Sequence, residues 1–127
     1  MPSTVKEMMD AANAVVPKIT TAEAQALVAE GKAVIIDVRD SAELAQTGKA
    51  LGALHIPRGS LEFRADATTS YHDPRLDPGK TVILYCAAGS RAALAGKVLR
   101  DMGYPDVRNL GGFKDWADAG GEIEDPV

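Results

Sequence analysis

The chain has 127 residues, which is enough for one domain with one continuous core. Its apolar fraction of 46% and charged fraction of 25% are close to those of an average globular protein, which argues against disorder of the whole chain. A net charge of -4 gives no electrostatic reason to bind nucleic acid or anionic lipid, and no apolar run approaches the roughly 20 residues that span a bilayer.

The start of the chain carries acidic residues early and has no apolar signal core, so we expect a cytoplasmic protein that is not exported. The single cysteine, Cys86, excludes an internal disulfide and a cysteine-rich metal site. A lone cysteine is more often a buried packing residue than a functional one, so its sequence context has to decide between the two.

A helix is predicted at the N-terminus. Apolar residues recur at helical spacing over residues 3–16, and Pro17 ends the pattern. This apolar stripe has to be buried against its own domain or against a second subunit, so a homodimer through the helix is one expectation. We therefore expect an N-terminal helical extension, residues 1–17, followed by one domain, residues 18–127.

Strands and helices alternate along that domain. Strands are expected at residues 18–19, 33–38, 53–56, 81–85 and 107–110. Helices are expected at residues 20–30, 40–46, 61–65 and 91–102 and around Phe113 and Trp116, with a long polar loop at residues 66–79. The alternation predicts an α/β sandwich in which helices cover both faces of a mostly parallel sheet.

The segment around Cys86 carries the most specific chemical signal. A strand of buried character ends at this cysteine, small residues follow at positions 87–90, and a helix begins near Ser90. Successive backbone N–H groups in such a tight loop can converge on one point, and the start of a helix adds the positive end of its dipole. This field favours the thiolate of Cys86 and would also stabilise an anionic persulfide, without a metal or an organic cofactor.

Four segments together make the chain resemble the rhodanese family, from about residue 19 to residue 122. They are Ile35-Ile36-Asp37-Val38-Arg39, Gly52-Ala53-Leu54-His55-Ile56-Pro57, the loop of residues 86–91, and Leu110-Gly111-Gly112-Phe113-Lys114-Asp115-Trp116. Each segment is a weak signal, but their order and spacing are specific. The resemblance implies a three-layer sandwich with a five-stranded, mostly parallel sheet.

The resemblance also implies a sulfurtransferase without a metal or cofactor. Cys86 would accept sulfane sulfur as a persulfide, and the backbone of Ala87, Ala88, Gly89, Ser90 and Arg91 would surround the substrate. The sulfur would come from a small donor and pass to a thiophilic acceptor, which is cyanide in vitro or a thiol in the cell, including a thiol of a partner protein. Many family members carry arginine directly after the cysteine, whereas this chain has Ala87, so we expect modest activity with thiosulfate and consider a persulfide donor.

Several polar residues near the expected site have two interpretations. Arg91 either binds the substrate anion or pairs with a carboxylate such as Asp37 or Glu43, which is the favoured interpretation. Asp37 and Arg39 follow a central strand, where they either orient the loop or form a salt bridge at the strand end. Arg58 is a further supporting candidate that could face the pocket. The other charged and aromatic candidates, His55, Phe113 and Trp116, are expected to be structural.

Two other functions compete with an enzymatic sulfurtransferase. The chain could be a sulfur carrier that docks a partner protein through its N-terminal helix. It could also be a phosphatase or an arsenate reductase on the same fold. Four residues separate Cys86 from Arg91, whereas protein tyrosine and dual-specificity phosphatases have five, so the loop is more suited to a sulfur atom than to a phosphate.

Overall fold

A computed structural model describes residues 2–126 of the chain. Its central sheet has four parallel strands in the order β3-β1-β4-β5. The strands are β1 (Ala33–Asp37), β3 (Leu54–His55), β4 (Thr81–Cys86) and β5 (Val107–Gly112). A second, antiparallel pair consists of β2 (Lys49–Ala50) and β6 (Ile123–Glu124).

Six α-helices surround this sheet within the described residues. They are α1 (Val5–Val15), α2 (Thr21–Ala29), α3 (Ser41–Thr47), α4 (Leu61–Ala65), α5 (Ser90–Asp101) and α6 (Phe113–Asp118), with a 3-10 turn at Arg58–Ser60 before α4. Residues 66–79 contain no helix or strand, as the sequence predicts. None of the helices in residues 2–126 is long and apolar enough to cross a membrane.

The expected α/β class and the parallel sheet are confirmed, but the count of five strands is wrong. Residues 18–19 lie beside β5 and form only one isolated bridge, between Lys18 and Asn109. Backbone hydrogen bonds flank that bridge, from Asn109 N to Pro17 O and from Ile19 N to Asn109 O. The pairing ends there because Thr20 already caps α2 through its side chain.

Two apolar clusters sandwich the sheet. Because successive side chains on a strand point to opposite faces, Val82, Leu84 and Cys86 of β4 join the cluster under α4 and α5. Ile83 and Tyr85 join the cluster on the other face, together with Trp116 of α6. All six residues of β4 are buried, which explains why this strand reads as one continuous apolar run.

The predicted N-terminal helix exists, and its apolar stripe is only partly covered. Helix α1 contacts α5, and Ala12 and Val16 are buried there. Val5 and Met8 of the same stripe remain 69% and 45% exposed. The stripe therefore docks on its own domain through its second half, and the expected homodimer stays a prediction.

Candidate active site

Cys86 is the last residue of β4, at the carboxyl edge of the parallel sheet. Its side chain is 1% exposed and lies on the face that α4 and α5 cover. Its backbone is in register with Gly112 at the end of β5. A central parallel strand thus delivers one thiol to the sheet edge at which α/β folds bind ligands.

The loop after Cys86 directs a backbone amide at the sulfur. The N–H of Gly89 donates a hydrogen bond to Cys86 Sγ at 3.0 Å. Gly89 has a φ of +105°, a conformation that residues with a Cβ rarely adopt, and it is the N-cap of α5. Since the first amides of an α-helix have no intrahelical acceptor, the start of this 12-residue helix adds further donors and its positive dipole end.

The loop rests on the end of β5. A Cβ atom on Gly112 would lie 2.2 Å from the carbonyl oxygen of Ala87, so only glycine allows this approach. Asn109 of β5 also supports the loop, because its Nδ2 donates a hydrogen bond to the carbonyl oxygen of Gly89 at 3.0 Å. The sequence analysis named Gly111 and Gly112 only as part of a family segment. It missed the support from Asn109, whose position directly before that segment was the available signal.

Arg91 closes the loop through an ion pair with Glu43. Its two terminal nitrogens donate to the two carboxylate oxygens of Glu43, at 2.8 and 2.9 Å. Both side chains are about one-third exposed. The hydrogen bonds from Arg91 lower the pKa of Glu43 to about 2, so this carboxylate is ionised throughout the neutral range. Of the two carboxylates that the sequence left open as partners, the structure places Glu43 on Arg91.

Asp37 and Arg39 form a buried ion pair at the end of β1. Their side chains are at most 3% exposed, and Arg39 Nη2 lies 2.8 Å from Asp37 Oδ2. The hydroxyl of Tyr85, the residue before Cys86, donates to Asp37 Oδ2 at 2.6 Å and accepts from Ala50 N at 3.0 Å. This network connects β1, β4 and β2 on the face of the sheet opposite to the Cys86 side chain. Asp37 and Arg39 therefore support the strand end that carries the loop, and they are not accessible to solvent.

Arg39 also stabilises the end of α3. Its guanidinium donates to Thr47 Oγ1 and to the carbonyl oxygen of Gly48, each at 2.9 Å. The same group lies 4.6 Å from the centroid of the Phe113 ring, which is a cation–π distance. Arg39 therefore anchors α3, the helix that carries Glu43, to the protein core.

The remaining sequence candidates take structural positions. Arg58 pairs with Glu62 at 2.8 Å, and its backbone N–H donates to the carbonyl oxygen of Val38. The Nε2 atom of His55 lies 2.8 Å from the carbonyl oxygen of Arg39, a contact within the scaffold. Within residues 2–126, no group of three His, Cys, Asp or Glu side chains is arranged to hold a metal ion.

Taken together, the site presents one buried sulfur, one amide that donates to it, and the N-terminus of a helix. These features stabilise negative charge on the sulfur or on an atom bound to it. They match the requirements of a nucleophile that carries a transferable anionic group.

The chain is similar to known proteins over most of its length. The family model for the rhodanese-like domain matches residues 20–119. The human thiosulfate:glutathione sulfurtransferase is 32% identical over 108 residues, which cover 79% of this chain and 92% of that protein.

Two solved structures are similar over almost the whole chain. One is a protein from Rhodopseudomonas palustris that is described as having unknown function and as a possible tyrosine phosphatase. It is 43% identical to this chain, with a TM-score of 0.84, and the match covers 98% of this chain and 99% of that protein. The other is the polysulfide-sulfur transferase homodimer of Wolinella succinogenes, with 35% identity, a TM-score of 0.75 and coverage of 94% and 86%.

Proposed function

Because this chain belongs to the rhodanese-like domain family, we propose that it is a sulfurtransferase in which Cys86 accepts and releases sulfane sulfur. The observation that carries the proposal is the hydrogen bond from Gly89 N to Cys86 Sγ at the start of α5. That amide would hold a negative charge on the sulfur, first as the thiolate and then as the persulfide.

The reaction is a double displacement. The Cys86 thiolate attacks the sulfane sulfur of a donor such as thiosulfate; the sulfur–sulfur bond of the donor breaks and sulfite leaves with the electron pair. The enzyme then holds a Cys86 persulfide. A thiophilic acceptor attacks the outer sulfur, takes it away and restores the thiolate; cyanide gives thiocyanate, and a thiolate gives a new persulfide.

Each loop residue has a place in this proposal. The small side chains of Ala87, Ala88 and Ser90 leave room for the transferred sulfur, and the amide of Gly89 binds it. Arg91 holds the loop through Glu43, while Asp37 and Arg39 fix the strand end beneath it. Arg58 keeps the turn after β3 in place through its pair with Glu62.

The names of the relatives suggest the substrates to test. The human relative is named for thiosulfate and glutathione, and the Wolinella relative for polysulfide. For this chain we propose thiosulfate or a persulfide as the donor and a small or protein thiol as the acceptor. The loop carries alanine at positions 87 and 88 and its one cation, Arg91, is paired with Glu43, so activity with thiosulfate should be modest.

Intact-protein mass spectrometry tests the proposal. After incubation with thiosulfate or glutathione persulfide, the protein should gain the mass of one sulfur atom, and cyanide should remove it while thiocyanate appears. The Cys86→Ser variant should gain nothing under the same conditions. Absence of a mass gain from both donors on the native chain would contradict the proposal.

A phosphatase is the second candidate, because the Rhodopseudomonas palustris structure is described as a possible tyrosine phosphatase. The loop of this chain has one residue fewer between cysteine and arginine than phosphatase loops, which disfavours a tetrahedral phosphate. Turnover of p-nitrophenyl phosphate that disappears in Cys86→Ser would favour the phosphatase.

The carrier function also remains an alternative, supported by the exposed Val5 and Met8 of α1. It predicts slow turnover with cyanide but rapid transfer of the Cys86 sulfur to the thiol of one protein.

A further inference from the structure

Three arginines at the carboxyl edge of the sheet are paired with carboxylates. Two of them, Arg39 and Arg58, follow strand ends, and Arg91 is the last residue of the cysteine loop; each has a carboxylate oxygen at 2.8 Å. The pairs are Arg39–Asp37, Arg58–Glu62 and Arg91–Glu43. These three guanidinium groups are thus compensated, and residues 87–90 of the cysteine loop carry no cation.

Glu43 is the acid that pairs with the last residue of the cysteine loop, Arg91. It lies on the first turn of α3, and both of its carboxylate oxygens accept hydrogen bonds from Arg91. Oε2 also accepts from the backbone N–H of Asp40 at 2.8 Å, which fixes the carboxylate in place. The hydrogen bonds to Glu43 raise the pKa of Arg91, so this guanidinium stays charged and paired.

We propose that Glu43 is a positioning residue that makes the Cys86 site select sulfur donors with a single negative charge over dianionic donors such as thiosulfate. It does so by engaging both terminal nitrogens of Arg91 and so cancelling the positive charge at the end of the cysteine loop. This inference rests on the proposed sulfurtransferase function and names the donor class for that same site.

The physical reason is the charge of the donor. Coulomb energy scales with the product of the charges, so a dianion would gain twice as much as a monoanion from an unpaired Arg91 at the same distance, and it loses twice as much when Glu43 cancels that charge. The amide of Gly89, which donates to Cys86 Sγ, can satisfy one negative charge, as proposed above for the thiolate and the persulfide. A second charge needs a free cation, and Arg91 is already occupied.

A matched pair of donors isolates this effect. Methanethiosulfonate is thiosulfate with one anionic oxygen replaced by methyl, so it offers the same sulfane sulfur with one charge fewer. Cys86 takes that sulfur while methanesulfinate leaves with the electron pair of the broken sulfur–sulfur bond. The measured quantity is kcat/KM for thiosulfate divided by kcat/KM for methanethiosulfonate, with cyanide as the acceptor.

Three variants test the proposal. Glu43→Gln removes the charge with little change in shape, and the ratio should rise about fivefold, mainly through a lower KM for thiosulfate. Glu43→Asp keeps the charge, so its ratio should lie nearer to that of the native protein. Asp106→Asn is the matched control: Asp106 is a similarly exposed acid paired with Arg108 at 2.7 Å, but it precedes β5 at the opposite edge of the sheet, and the ratio should not change.

The outcomes separate this inference from the proposed function. Absence of a persulfide from both donors in the native chain would overturn both. Persulfide formation with an unchanged ratio in Glu43→Gln, or with equal losses for both donors, would overturn the role of Glu43 alone. If Glu43→Gln does not fold, Arg91→Ala gives the answer: it leaves the charge of Glu43 uncompensated, so the ratio should fall below that of the native protein, and an unchanged or higher ratio would contradict the inference.

Discussion

Arg91 and Glu43 are 48 positions apart in the chain, and the guanidinium of one donates two hydrogen bonds to the carboxylate of the other. This ion pair joins the first turn of α5, directly after the cysteine loop, to the first turn of α3. The shape of the loop thus depends on a helix that follows a different strand. Changes to the ion pair should therefore affect stability and sulfur transfer together.

Replacing Arg91 with alanine should lower both stability and activity. The two side chains are about one-third exposed, so solvent screening limits the loss of unfolding free energy to about 1 kcal/mol, or a few degrees in melting temperature. The rate of persulfide formation should fall because the loop loses its tie to α3. Thermal denaturation and the mass-gain assay measure the two effects; a fall in rate with no change in melting temperature would show that Arg91 acts on the substrate alone.

The contribution of the pair should depend on pH in the acid range. The pKa of Glu43 is lowered from 4.5 to about 2 in the folded protein, chiefly by the hydrogen bonds from Arg91. A carboxylate with a lowered pKa stabilises the fold fully above its unfolded value and loses that effect as pH falls toward its folded value. The difference in melting temperature between the native protein and Arg91→Ala should hence be constant above about pH 5 and shrink toward about pH 2. A difference that grows as pH falls would contradict this assignment.

Tyr85→Phe should destabilise the fold, because the hydroxyl that it removes makes two buried hydrogen bonds. Burial, with the hydrogen bond to Asp37, raises the pKa of Tyr85, so its hydroxyl stays protonated and donates. Removing it leaves Asp37 Oδ2 and Ala50 N without this partner in the core, at a cost of about 2 kcal/mol in unfolding free energy. Tyr71→Phe is the control: Tyr71 is 65% exposed, and its variant should differ by less than about 0.5 kcal/mol. Equal effects in chemical denaturation would show that the Tyr85 network adds nothing.

Gly112→Ala should abolish or strongly reduce persulfide formation. The new Cβ would lie 2.2 Å from the Ala87 carbonyl oxygen, so the backbone that carries the loop would have to move away from β5. Gly59→Ala provides the comparison, since a Cβ there meets no atom within 4 Å and needs no unusual φ. Full persulfide formation in Gly112→Ala would mean that the loop tolerates displacement, and the amide of Gly89 would then not be essential.

Much of the fold could be predicted from residue patterns because those patterns reflect local constraints. The apolar run of β4, the helix predicted at residues 20–30 and the helical spacing after Ser90 each depend on neighbours a few positions away. The predicted number of strands was wrong because residues 18–19 form only one bridge, between Lys18 and Asn109. These two residues are far apart in the chain, and their pairing ends where Thr20 caps α2. Local propensity cannot show how far two distant segments stay paired.

The sequence by itself determined that one cysteine lies between a buried strand and a helix, in a loop small enough for backbone amides to reach the sulfur. It also predicted that Arg91 pairs with a carboxylate, but both Asp37 and Glu43 were compatible with the pattern. Only the tertiary structure decided between them, because Arg39 already engages Asp37 within the same strand end and leaves Glu43 to Arg91.

The close approach of Gly112 to Ala87 was likewise decided by the tertiary structure, since it depends on the register of β4 against β5. Side-chain identity restricts which contacts are chemically allowed. The packing of strands and helices, which brings residues far apart in the chain within hydrogen-bond distance, selects the contacts that form.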